Sequence, residues 1–153
     1  MSTYFFTNFS TRGYSAVKKW TKEVDIFTCD MVLVPIHMDS HWSLASIDFR
    51  VPGVFYYDSL GSTVNNNAIL TALLYYLSEE HMDKKGKEMN LSNYAKHTMD
   101  CPLQQNGSDC GVFCCKVGDY LSRDIQLEFC QEDVKYFRKR MIFEILRGVL
   151  LEP

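Results

Sequence analysis

The stretch DMVLVPIHMDSHWSLASIDFRVPGVFYYD, residues 30–58, predicts three successive β-strands. Residues 30–37 are a β-branched apolar run of strand length, and residues 41–49 alternate apolar with small polar side chains. After a turn at residues 50–53, residues 54–58 form a third, strongly aromatic run. Connections this short favour antiparallel neighbours, so we expect a small sheet at the centre of the fold.

The segments before these strands have less regular patterns. Residues from Thr3 to Phe9 are aromatic, and we predict that they are extended. Residues from Gly13 to Thr21 are typical of a short amphipathic helix, with Val17 and Trp20 pointing inward.

Helical patterns dominate the chain after the strands. Asn65, Asn66 or Asn67 can cap a helix that closes in the polar residues 79–87. Its apolar positions recur at helical spacing: Ile69, Leu70, Leu73, Leu74 and Leu77. A less regular segment covers residues 90–107, and two helices follow, at about 110–121 and 132–151. The last has Val134, Phe137, Met141 and Ile145 on one stripe. The sequence therefore predicts one mixed α+β domain over residues 1–153.

Composition and charge exclude several classes of function. The net charge of −3 disfavours non-specific nucleic-acid binding, which needs an excess of Lys and Arg. No apolar run reaches membrane-spanning length and nothing resembles a leader peptide, so we expect a soluble intracellular protein with reduced thiols. The six cysteines include no C-x2-C pair, and His37 and His41 bracket a strand end, so we expect no metal site and no cofactor.

One cysteine has a special position. The predicted helix begins at Cys110, and Ser108 or Asp109 can cap it. A helix N-terminus carries partial positive charge and unpaired N–H groups, which favour a thiolate and offer donors to a developing oxyanion. Gly107 and Gly111 leave room for a substrate backbone. A lone cysteine is more often a small buried hydrophobe, so Cys110 needs partners to be interpreted as a nucleophile.

Such partners are present. His41 opens one predicted strand and Asp58 closes the next, so both lie at the same end of a hairpin, although a bulge or loop adjustment is needed to align them. Asp58 can orient the imidazole, which can then serve the thiol as a base. Gln104, six residues before Cys110, can aim its amide N–H at an oxyanion.

Several blocks of the sequence carry a resemblance. The blocks are GYSAVKKWTK (13–22), VPIHMDSHWSLASIDF (34–49), YYDSLG (56–61), QQNGSDCGVFCCK (104–116) and YFRKRMIFEIL (136–146). They resemble successive blocks of the SUMO-specific (sentrin-specific) cysteine proteases, the Ulp-type group. The resemblance implies a papain-related α+β fold with a small mixed or antiparallel sheet flanked by helices.

The same resemblance implies roles for individual residues. His41 is the implied general base, Asp58 its orienting group, Gln104 an oxyanion donor and Cys110 the nucleophile. Trp42 is implied to be one wall of a narrow channel that admits the Gly-Gly tail of SUMO. More weakly, four residues match positions near the modifier-binding face: Lys19, Trp20, His37 and Ser40.

The implied reaction is hydrolysis after the C-terminal Gly-Gly of SUMO through a thioester, giving deconjugation of SUMO-conjugated proteins and precursor processing. A monomeric, nuclear protein is also implied. Catalytic domains of the family carry a further segment before the position where this chain begins, which supplies the opposing tryptophan and much of the modifier-binding surface. Two alternatives stay open: a non-catalytic domain that binds a ubiquitin-like modifier, and a related cysteine enzyme with another substrate, such as a different modifier or acetyl transfer.

Overall fold

The computed structural model describes residues 1–61 and 66–151. Its helices and strands run in the order α1 (Phe5–Arg12), β1 (Met31–Met38), β2 (His41–Asp48), β3 (Gly53–Tyr57), α2 (Asn66–Lys85), β4 (Ala95–Met99), α3 (Cys110–Ser122) and α4 (Val134–Arg147). Short 3-10 turns lie at Tyr14–Ala16, Ile26–Thr28 and Gln131–Asp133. No helix in this described part of the chain combines the length and apolar character of a membrane span.

The four strands form one sheet in the order β1-β2-β3-β4. β1 pairs antiparallel with β2, β2 antiparallel with β3, and β3 parallel with β4. The prediction of three consecutive antiparallel strands is confirmed, and the fold is a mixed α+β architecture. Val34 lies opposite Ala45, and Leu44 lies opposite Tyr57, which fixes the register of both hairpins.

Strand alternation sends side chains to two hydrophobic cores, one on each face of the sheet. The first core packs α1 and α2 against residues such as Val34, Ala45 and Tyr56. The second packs α3 and α4 against Leu44 and Tyr57. The sheet is thus held between two helical layers, and the ends of β2 and β3 emerge between them.

The predictions for the N-terminal region were wrong in part. The Phe5, Phe6 and Phe9 side chains are buried on helix α1, not on an extended segment. Their spacing of one and four residues puts them on one helical face, which overrides the strand preference of aromatic residues. The segment 13–21 forms a 3-10 turn and further turns in place of the predicted helix. Val17 is buried as predicted, whereas Trp20 is 42% exposed.

Later elements agree better, with two corrections. Helix α2 begins at Asn66, and the capping alternative Asn65 lies outside the described residues. Strand β4 lies within the segment 90–107 that was predicted to be irregular, and every one of its residues is exposed. Helix α3 is confirmed. Helix α4 ends at Arg147, earlier than predicted, because Gly148 takes the left-handed conformation (φ 67°) that terminates a helix. Of the predicted stripe on this helix, Val134 and Phe137 are buried, whereas Ile145 is exposed.

Candidate active site

The structure brings His41 and Asp58 into contact. His41 Nε2 lies 2.7 Å from Asp58 Oδ1. The β2–β3 register extends without a bulge, so residue 43 faces position 58 and His41 is two residues further along the same face. Diagonal neighbours of this kind are within reach of a long side chain, so the side chains close the gap for which a bulge was expected. An ionised carboxylate only accepts hydrogen bonds, so Nε2 carries the proton and Nδ1 stays available to a second group.

Asp58 is held in place on several sides. Its side chain is almost completely buried, and Oδ1 also accepts a hydrogen bond from the Leu60 N–H at 2.9 Å. The Tyr56 hydroxyl lies 3.4 Å from the other carboxylate oxygen and 2.8 Å from Ser43 Oγ. The carboxylate is therefore fixed in the orientation in which it meets the imidazole, while His41 itself stays partly exposed at 23% of its side chain.

Helix α3 presents Cys110 at its first residue and packs against the strand that His41 opens. One turn further along α3, Cys114 Sγ donates to the Ser43 carbonyl oxygen at 3.2 Å. A Cβ placed on Gly111 would lie 3.7 Å from Trp42 Cδ1, so the helix start lies against the indole. Cys110 is buried, with 6% of its surface exposed, where α3 packs against β2.

The predicted side-chain cap is absent from α3. Within the described chain, Asp109 occupies the N-cap position, but its carboxylate makes no capping bond. It accepts instead from Asn106 Nδ2 at 2.6 Å, from Gln131 Nε2 at 2.8 Å and from Arg138 of α4. The Arg138 guanidinium, followed by these two amides, lowers the pKa of Asp109 to about 2. The Asp109 carboxylate therefore does not accept hydrogen bonds from the N–H groups in the first turn of α3.

Gln104 lies buried in the loop that leads to α3. Its main-chain N–H donates to the Ser59 carbonyl oxygen at 2.8 Å, and its side-chain oxygen accepts from Ser59 Oγ at 2.6 Å. Its amide nitrogen donates to the Asn106 carbonyl oxygen. The loop is therefore tied to the residue that directly follows Asp58.

A cleft of about 420 Å³ opens at Cys110. Ser40 lines it from the turn between β1 and β2, Trp42 from β2, and Gly107 and Ser108 from the loop before α3. Trp42 stacks on His37 of the neighbouring strand, with ring centroids 4.3 Å apart.

Two of the predicted binding residues lie apart from this cleft. Lys19 and Trp20 belong to the exposed turns after α1, where Trp20 meets Phe5 edge-on at 6.2 Å, and neither lines the cleft. The structure thus groups Ser40, Trp42 and His37 with Cys110.

Two of the other thiols have strongly raised pKa values. Burial raises the pKa of Cys114 to about 12 and that of Cys101 to about 11, so both stay protonated at neutral pH. Cys115 and Cys130 are exposed.

Sequence reasoning missed the residues that hold the site together. Tyr56 and Ser59 lie within two residues of Asp58 in the chain, and Asn106 and Arg138 organise the loop before Cys110. The proximity of Ser59 to Asp58 in sequence was a usable signal. Arg138 gave none, because its contact with Asp109 spans 29 residues.

Comparison with known proteins identifies the family of this chain. Residues 1–150 match the Ulp1 protease family, C-terminal catalytic domain. A sentrin-specific protease of Caenorhabditis elegans is 46% identical over 98% of this chain and 21% of its own length. Human sentrin-specific protease 2 is 44% identical over 98% of this chain and 26% of its own length. The chain thus spans about a fifth to a quarter of these relatives.

Solved structures show the same fold. The C-terminal Ulp1 protease domain, determined in complex with Smt3, the yeast ortholog of SUMO, superposes with a TM-score of 0.85 at 34% identity. The match covers 96% of this chain and 66% of that one. A structure of the SUMO protease Ulp1 with its catalytic cysteine oxidised to a sulfonic acid gives a TM-score of 0.86 at 35% identity, over 97% of this chain and 68% of that one. On its sequence and its fold, the chain belongs to the Ulp1 protease family.

Proposed function

We propose that the chain is the catalytic region of a SUMO-specific cysteine protease, with Cys110 as nucleophile, His41 as base and Asp58 as its orienting group. The observation that carries the proposal is the 2.7 Å contact between His41 and the buried Asp58. His41 is the first residue of β2, the strand against which the helix that begins at Cys110 packs. A base held by an acceptor-only carboxylate, next to a thiol at a helix N-terminus, has the arrangement that activates a cysteine.

The first half of the reaction forms a thioester. The Cys110 proton passes to His41 Nδ1, and the sulfur attacks the carbonyl carbon of the terminal glycine. The carbonyl oxygen becomes negative and is met by the Cys110 N–H and the Gln104 side-chain amide. As the C–N bond breaks, His41 returns its proton to the leaving amine.

The second half releases the product. Water gives a proton to His41 and adds to the thioester carbonyl carbon. Collapse of this intermediate breaks the C–S bond and releases the glycine as a carboxylic acid, which loses its proton to solvent, and the proton on His41 returns to the Cys110 thiolate. The enzyme ends in the state in which it began.

SUMO is proposed as the substrate on two grounds. The family relatives are named sentrin-specific proteases, and a structural neighbour was determined with the yeast ortholog of SUMO. In this chain Trp42 forms a flat wall beside Cys110, and its ring is held by His37. A flat aromatic wall leaves room for glycine backbone and excludes larger side chains at the scissile bond. A monomeric, nuclear protein that needs no cofactor is part of this proposal.

A SUMO probe bearing a C-terminal electrophile tests the function. We expect the wild-type chain to gain the mass of one SUMO, because the thiolate bonds to the electrophilic carbon, and we expect Cys110→Ser to abolish the adduct. Cys115→Ser is the matched control, since Cys115 is an exposed thiol on the same helix, and it is expected to label as the wild type does.

Other outcomes of this experiment contradict the proposal. Binding of SUMO without an adduct identifies a non-catalytic binding domain. Labelling by a ubiquitin probe and not by SUMO identifies a related enzyme with a different modifier as its substrate.

A further inference from the structure

Ser59 and Gln104 are joined by two hydrogen bonds across 45 residues of chain. Ser59 Oγ donates to the Gln104 side-chain oxygen at 2.6 Å, and the Gln104 main-chain N–H donates to the Ser59 carbonyl oxygen at 2.8 Å. Both residues are buried, at 4% and 9% exposure. The pair therefore fixes the loop before α3 to the turn after β3.

These contacts decide which way the Gln104 amide points. Its nitrogen lies against the carbonyl oxygen of Asn106, which only accepts hydrogen bonds, so this end must be the NH2 group. The other end is then the oxygen, and it accepts from the Ser59 hydroxyl. A flipped amide would set two oxygens against each other at Asn106 and lose the Ser59 bond.

The orientation leaves one donor for a ligand. An amide NH2 carries two N–H groups. Among the residues that the structure describes, the Asn106 carbonyl oxygen is the acceptor that this nitrogen contacts, and it uses one of them. The second N–H is free to meet a developing oxyanion.

The turn after β3 contacts both the proposed base, His41, and the proposed oxyanion donor, Gln104. Asp58 orients His41, and the next residue, Ser59, contacts Gln104. The turn itself is held by the Leu60 N–H on the Asp58 carboxylate at 2.9 Å and by the Gly61 N–H on the Asp58 carbonyl oxygen at 3.0 Å.

We propose that Ser59 is a positioning residue for the reaction, whose hydroxyl sets the orientation of the Gln104 amide and so places the oxyanion donor. The inference rests on the proposed function, in which Gln104 stabilises the tetrahedral intermediate. Ser59 acts through Gln104 and does not touch the substrate.

A matched pair of variants isolates the hydroxyl. Ser59→Thr and Ser59→Val have almost the same shape, so any packing strain is common to both, but only threonine keeps the donor. We expect Ser59→Val to lower kcat about 10- to 100-fold on a SUMO substrate with a C-terminal fluorogenic amide and to leave KM within about twofold, since loss of a complete oxyanion donor costs about 100- to 1000-fold. Because threonine keeps the hydroxyl donor, we expect Ser59→Thr to keep kcat within about fivefold of the wild-type value, a small loss beside that of a complete oxyanion donor.

A second measurement separates this role from a merely structural one. Alkylation of Cys110 by iodoacetamide develops no oxyanion, so its rate in Ser59→Val should match the wild-type rate. In a Gln104→Ala background, Ser59→Val should cause no further fall in kcat, because the group that it positions is gone. Ser92→Ala, an exposed serine of the loop before β4, is the control and should leave every rate unchanged.

Each contrary result has a definite meaning. If Ser59→Val slows alkylation as strongly as turnover, or if its loss adds in full to that of Gln104→Ala, Ser59 acts through Asp58 and His41 and the inference is wrong. Equal activity of the threonine and valine variants also overturns it. A wild-type chain that takes up the probe at no thiol overturns the proposed function itself, and this inference with it.

Discussion

A carboxylate next to an imidazole determines which imidazole nitrogen holds the proton. Asp58 accepts from His41 Nε2, so the neutral ring keeps its lone pair on Nδ1. Asp58 is itself held by the Leu60 N–H and sits beside the Tyr56 hydroxyl. The pair is therefore set before any substrate arrives, so the tautomer that the proposed mechanism needs is already in place.

Asp58→Asn tests the importance of this pair. An amide can present its NH2 group to Nε2, which places the imidazole proton on Nδ1 and removes the base. We expect kcat to fall at least about 100-fold, as in other triads whose acid is replaced by an amide, together with the rate of Cys110 alkylation. Asp100→Asn, an exposed carboxylate that follows β4, should leave both rates unchanged. Turnover within tenfold of wild type would rule out the assigned role for Asp58.

The positions of three proposed site residues could be predicted because each occupies an element end that the sequence marks. His41 opens a strand, Asp58 follows one and Cys110 opens a helix. Their supports could not be predicted, since a bond such as that of Arg138 to Asp109 depends on how α4 packs beside α3 and not on local pattern.

At the scale of elements, helix α4 shows how backbone conformation sets a boundary. Gly148 has φ 67°, its N–H bonds the Ile145 carbonyl oxygen and the Val149 N–H bonds that of Glu144. Glu144 is buried, where it pairs with Arg140 and accepts from the Leu151 N–H. The chain thus folds back over the last turn of the helix.

Gly148→Ala should destabilise the protein by about 1 kcal/mol, because a Cβ is unfavourable at positive φ. A Cβ at this position meets no atom within 4 Å, so the cost is conformational and not steric. Urea unfolding measures it. Gly107→Ala is the control: its Cβ is equally free and its φ is not positive, so a change under about 0.5 kcal/mol is expected. Equal effects of the two substitutions would contradict this explanation.

Strand patterns predicted β1, β2 and β3 because each buries at least every second side chain over most of its length. Strand β4 was not predicted, because all five of its residues are exposed and its position depends on parallel pairing with β3. Helix α1 was not predicted, because the β-propensity of its three phenylalanines favours a strand, whereas their spacing favours a helix.

At the scale of the whole molecule, the sheet separates two cores and the site lies where the layers meet. The α3–α4 layer is closed near Cys110 by a polar cluster around Asp109, in which Arg138 reaches across from α4 and Gln131 from the turn before it. The same cluster holds the loop that begins at Asn106. Stability of this layer and geometry of the site thus depend on one carboxylate.

That dependence predicts how stability varies with pH. The pKa of Asp109 is lowered to about 2, chiefly by Arg138, against about 3.9 for an unfolded aspartate. The carboxylate therefore stabilises the fold above about pH 4, and this contribution is lost as pH falls toward 2. We expect the free energy of unfolding of Asp109→Asn to be about 1 kcal/mol below that of wild type at pH 7. This is less than the full pKa difference implies, because Arg138 is half exposed and solvent screens the pair. The difference should shrink toward zero at pH 2.5. Urea unfolding at pH 7, 4 and 2.5 measures it, with Glu88→Gln, an exposed carboxylate after α2, as the matched control. A difference between wild type and Asp109→Asn that stays constant from pH 7 to 2.5 would show that the charge of Asp109 does not hold the two helices together.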